Sequence, residues 1–162
     1  KIANKNVEKT KMENKFDRQK NILKIKVSCL KERMLFSVET MEKSNLGEYK
    51  KSTNGDIIAK RNQPLLIEFN NPDVTSHNFV LVQPDALEEV GLAANNMAKD
   101  PIAAKNGQFI PVSKKIIAHT KMLNQGETEV LRIKAPKNPG VYPYICTFPG
   151  HWTIMKGNVI VK

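Results

Sequence analysis

The sequence predicts an all-β fold, a β-sandwich broken by one helical insertion around residues 85–104. Three observations predict it. Short apolar stretches, several alternating at period two, recur from residue 22 to the C-terminus. Turn-forming runs such as "NQGE" and "KNPG" divide them. Only the stretch 84–107 thins its β-branched residues and clusters Ala, Leu and Glu.

Taken in order, residues 1–20 are polar and lack Gly and Pro. Ile2, Val7, Met12 and Phe16 fit a helical stripe only loosely, so the segment reads as a basic tail or linker, an arm with some helix. Residues 21–162 form the second unit, a compact β domain. "ILKIKVS" alternates as a half-buried strand does, and "MLFSVET" is the next candidate. "KSNLGEYKKSTNGD" is rich in Gly, Asn, Ser and Lys and reads as a loop. "IIAKRN", "LLIEFNN" and "HNFVLVQ" are strand-like. The insertion follows, with Pro84 and Asp85 suited to a helix start. "KKIIAHTKML", "TEVLRIKAP", "GVYPYICTF" and "GNVIVK" complete the strands.

Charge and composition exclude several classes. The net charge is +10, and residues 1–33 hold eleven Lys/Arg against four Asp/Glu. Nucleic-acid binding would interleave bases with stacking aromatics, and that basic segment offers only Phe16. No apolar run is long enough to span a membrane, and no signal peptide is visible. The first residue is Lys and not Met, so the expectation is a processed or excised product whose targeting segment is already gone. Of the two cysteines, Cys29 lies in an apolar segment and reads as a small buried hydrophobe.

Cys146 belongs to a denser motif. "CTFPGHWTIM" places Cys146, His151 and Met155 at C-x4-H-x3-M. Thiolate and thioether are soft ligands and imidazole is intermediate. Two His and one Cys with a weak axial Met are the ligand set of a blue-copper electron-transfer site. Such a site needs a second His on a distant strand, and His77 in "TSHNF" is the candidate. Structural zinc prefers closed Cys/His sets, haem attachment needs C-x-x-C-H, and a binuclear copper centre needs a second thiol in the loop. A Cys–His nucleophile pair stays open but leaves Met155 unexplained. His119, the third His, reads as a partly exposed structural residue.

The segment "YICTFPGHWTIMKGNVIVK" resembles the ligand loop and last strand of the small blue copper proteins, the cupredoxins, and is most like their azurin and auracyanin branch. "FNNPDVTSHNFVLV" is similar to the branch's first-ligand segment, and "IIAHTKML" to another of its strands. The resemblance spans roughly residues 56–162; the tail and the loop 43–55 have no counterpart. It implies a Greek-key sandwich with His77, Cys146 and His151 as equatorial copper ligands and Met155 as the axial one. It implies that Asn78 ties the two ligand loops together and that the Phe148 amide donates to the Cys146 sulfur. Where the branch has Gly before the first His, this chain has Ser76, so four ligands are expected rather than five. Cys29 has no partner for an azurin-like disulfide.

The function so implied is one-electron transfer, not enzymatic catalysis, between a redox protein as donor and another as acceptor. The expected setting is periplasmic or otherwise extracytoplasmic. The apolar loop residues Pro149 and Trp152 would form the docking surface around the His151 edge, and the tail would serve an oligomer or complex. Two alternatives stand beside this reading. One is an electron-entry copper domain of a larger redox enzyme. The other is copper storage, which the scattered Met residues disfavour.

Overall fold

A computed structural model describes residues 2–30, 35–43, 49–52 and 55–162. Helix α1 (Ile2–Asp17) precedes β1 (Leu23–Leu30), β2 (Leu35–Lys43), β3 (Tyr49–Ser52), β4 (Asp56–Ala59), β5 (Pro64–Asn70) and β6 (Val80–Val82). Helices α2 (Leu87–Met97) and α3 (Pro101–Asn106) follow, then β7 (Ile116–His119), β8 (Thr128–Lys134), β9 (Gly140–Ile145) and β10 (Lys156–Val161). A 3-10 turn, His151–Thr153, lies between the last two strands.

The strands form two five-stranded sheets, β3-β2-β1-β5-β8 and β4-β10-β9-β6-β7. Pairing is antiparallel except for β1 with β5 and β10 with β4. Alternation explains the interior of the sandwich. Leu23, Ile25, Val27 and Cys29 of β1 point inward, as do Leu65, Ile67 and Phe69 of β5. They meet Ile57, Tyr142, Tyr144, Val159 and Val161 from the other sheet. Phe79 stacks on Tyr144 with centroids 4.7 Å apart, and Phe69 lies 6.3 Å from Phe79.

β6 is buried throughout, and β9 over its last four residues, because α2 covers the outer face of their sheet. Val80, Val82, Ala86, Val90 and Ile145 form this second, smaller core. The helical insertion is two helices, since Asp100 caps a new one: its Oδ1 accepts from Ile102 N at 2.7 Å and Ala103 N at 3.3 Å. Asp85 does not cap α2. It takes a left-handed φ of 61°, and Ala86 occupies the cap position without a side-chain bond. The expected loop 43–56 contains a strand, β3, which pairs with β2. Residues 44–48 and 53–54 of that loop, and Met34 of the preceding strand candidate, lie outside the described residues.

Candidate metal centre

Two loops at one end of the sandwich bring three donors together. The first is residues 71–78, and Asn71 organises it. Fully buried, its Nδ2 donates to Thr75 O (2.8 Å) and Leu123 O (2.9 Å), while its Oδ1 accepts from Asp73 N (2.9 Å). His77 then pairs with Leu123 through two backbone bonds, 3.0 and 2.8 Å. The second loop runs from Cys146, directly after β9, to Met155. Gly150 has φ 86°, a conformation only Gly adopts cheaply, and it turns the chain into His151. Met155 N donates to His151 O (2.7 Å), and Cys146 N to Met155 O (3.0 Å).

Cys146 Sγ lies 3.6 Å from His77 Nδ1 and 3.7 Å from His151 Nδ1, and the two nitrogens are 3.2 Å apart. Metal bonds of about 2.0–2.3 Å to imidazole nitrogen and thiolate, spread trigonally, would set donors roughly 3.5–3.8 Å apart. The two S···N sides match that spacing, and the 3.2 Å N···N side needs only a narrower angle between the two imidazoles, so the triangle fits one ion. His77 and Cys146 are fully buried, and His151 is 8% exposed. Burial lowers the pKa of both imidazoles; His151, beside His77 as well, falls to about 4. Both lone pairs are thus available at neutral pH. Burial pushes the Cys146 thiol up to about 11, although the backbone amides of Asn78 and Phe148 bond its sulfur and favour the thiolate. A metal would supply the missing charge.

The two loops are bonded directly to each other. Asn78 Nδ2 donates to Thr147 Oγ1, and Thr147 N to Asn78 Oδ1, each at 2.7 Å between buried partners. Ser76 sits at the rim, its Oγ donating to Asn124 Oδ1 at 3.1 Å. Met155 is fully buried under the loop. The Phe148 ring lies 4.6 Å from the His151 ring and meets Phe109 edge-on at 5.8 Å. Pro149 is half-buried. Trp152 is also half-buried, and its indole packs against α2 at Gly91, where a Cβ would overlap the ring. His119 lies on β7, exposed, with Nδ1 2.9 Å from Thr120 O and outside the triangle.

Four contributors escape a reading by sequence motif. Asn71 and Asn95, whose Oδ1 accepts from Gly150 N at 2.7 Å, act by bonding backbone far away in sequence, and Thr147 acts by accepting from the distant Asn78 side chain at its hydroxyl. Asp73 is the fourth, its Oδ2 lying 3.5 Å from His77 Nε2. Burial pushes its carboxyl up. His77 and the amides of Val74 and Thr75 outweigh that and hold it below the ordinary range. The spacing D-x3-H was its only signal, and that pattern is common.

A family model described as copper binding proteins, plastocyanin/azurin family, matches residues 31–162. Auracyanin-A of Chloroflexus aurantiacus is 32% identical over 125 residues, covering 76% of this chain and 74% of that protein. An azurin of Pseudomonas fluorescens biotype C is 34% identical over 92 residues, covering 56% and 68%. The solved structure of auracyanin A, described as a "blue" copper protein of Chloroflexus aurantiacus, matches with a TM-score of 0.65 at 25% identity. It covers 87% of this chain and 99% of that one.

Proposed function

Since the chain belongs to the plastocyanin/azurin family of copper-binding proteins, we propose that it carries single electrons between redox proteins through a blue copper site. The cofactor is copper, one ion at one site. Copper supplies a one-electron couple, Cu(I)/Cu(II). His77, Cys146, His151 and Met155 would hold the ion. The observation that carries the reading is the buried donor triangle with sides of 3.2–3.7 Å.

The chain's own residues make this triangle suited to electron transfer. Asn78 and Thr147 lock the two ligand loops together, so the donors move little when charge changes. Burial favours the less charged state of the site. Ser76 is a loop residue whose hydroxyl is tied to Asn124. Four protein ligands in a buried site leave no place for a substrate. Electrons pass through the His151 edge, where Phe148, Pro149 and the exposed margin of Trp152 form the docking surface. The setting is extracytoplasmic, and the partners are redox proteins.

The test is a visible spectrum after adding Cu(II) to the apoprotein. An intense absorption from a copper–thiolate bond is expected, and Cys146→Ser should abolish it because a hydroxyl cannot supply the thiolate. A variant that stays coloured would sink the ligand assignment.

A further inference from the structure

The two ligand imidazoles differ in what lies behind them. His77 Nδ1 faces the donor triangle, so in its metal-binding form the ring carries its proton on Nε2. Facing that nitrogen is Asp73 Oδ2, at 3.5 Å, with the His77 side chain 0% and the Asp73 side chain 11% exposed. The carboxylate is aimed by its own loop. Asn71 Oδ1 takes the Asp73 N–H at 2.9 Å, and Asp73 Oδ1 takes the Val74 N–H at 2.6 Å. Oδ2 is the oxygen that faces His77. No such carboxylate contact is made by the ring of His151 among the described residues.

We propose that Asp73 is a positioning residue for His77 that also sets the reduction potential, its negative charge favouring Cu(II) from behind the imidazole. This rests on the copper reading of the triangle. The contact is longer than a typical N–H···O bond, so charge matters more here than hydrogen-bond geometry. Coulomb attraction falls only with the inverse of distance and is weakly screened where both groups are buried. Asp73 stands one imidazole away from the ion. Its charge opposes the general preference of a buried site for Cu(I), which gives this chain a lower potential than the same ligands would have without it. A carboxylate behind a ligand histidine also fixes the tautomer and the ring plane.

Asp73→Asn tests it in the copper-loaded full chain. Asn keeps the size and can keep the acceptor for Val74 N–H, but removes the charge. The expected result is a retained thiolate band and a shift of at least tenfold toward Cu(I) in a fixed redox buffer, a rise of about 59 mV for one electron. A merely structural role would loosen the loop without this directed shift. A blue variant with unchanged or lowered potential overturns the proposal while leaving the copper reading intact. A wild type that shows no thiolate band overturns both. If the variant fails to fold or to hold copper, the reduced wild type decides by NMR. Its His77 Nε2 proton should exchange slowly with solvent, and exchange as fast as free imidazole would overturn the proposal.

Discussion

Burial decides the protonation of the three donors before any metal is present. His151 has its pKa pushed down to about 4, first by burial and then by the neighbouring His77. In the unfolded chain the same group titrates at about 6.5. Between those values the unfolded chain binds a proton that the folded apoprotein refuses, so acid favours unfolding. The sign follows directly: the folded state is unpenalised above about pH 6.5 and loses stability as pH falls toward 4. The full loss is of the order of 3 kcal/mol. A urea midpoint for the apoprotein measured at pH 7 and pH 4.5 should show it, and His151→Gln should flatten the dependence. Equal slopes in wild type and variant would mean that the ring is already protonated in the fold. At this scale the sequence was legible where chemistry was concentrated in one segment, as in C-x4-H-x3-M. It was illegible where a side chain serves a group far away in sequence. Thr147 bonds Asn78 across 69 positions, and Asn71 bonds Leu123 across 52. A buried Thr or Asn has no local pattern that separates such a role from an ordinary loop.

Between residue and molecule stands α2, which holds the ligand loop from outside. Gly91 receives the Trp152 indole, and Asn95 Oδ1 binds the Gly150 amide. The strand reading succeeded for β1 and β5 because each has one wet face and therefore alternates. β6 and β9 were also read as strands, though without a period to lean on, because α2 covers their second face and their apolar residues run on. β3, "YKKS", carries no apolar alternation and is a strand through its pairing with β2. The clamp itself was hidden, since a lone Gly in a helix reads as a weakness rather than as a socket. Gly91→Ala tests it. The new Cβ would overlap the indole, so ring or helix must shift, and such overpacking costs about 1–3 kcal/mol. Asn95→Ala should cost about 1 kcal/mol or less, because water can replace its bond to the exposed Gly150 amide. Both belong to one contact surface, so the double variant should fall short of the sum. Additive losses in denaturant unfolding would show that the helix and the loop are held independently.

For the molecule as a whole, the open matter is how α1 relates to the sandwich. Two of its three acids reach the sandwich: Arg132 on β8 binds Asp17 through two bonds, at 2.9 and 3.1 Å, with Glu13 at 3.9 Å. Arg132 holds the Asp17 carboxyl below its ordinary range, burial opposing it only in part. The helix's lysines Lys5, Lys9, Lys11 and Lys15 stay exposed, as do Val7 and Met12. A partly exposed ion pair contributes about 1 kcal/mol or less, and a lone 16-residue helix is marginal in water. The attachment to the domain is therefore weak, and the helix holds no donor of the metal triangle. Deleting residues 1–20 should leave the copper spectrum unchanged and lower stability by about 1 kcal/mol or less. Arg132→Ala should reproduce that small loss. The informative measurement is partner reduction as a function of salt. Residues 1–20 hold seven Lys/Arg against three Asp/Glu, a net of +4, so an arm that steers an acidic partner would lose much of its salt dependence on deletion. Unchanged salt dependence, with unchanged oligomeric state, would mean that the lysines face only solvent.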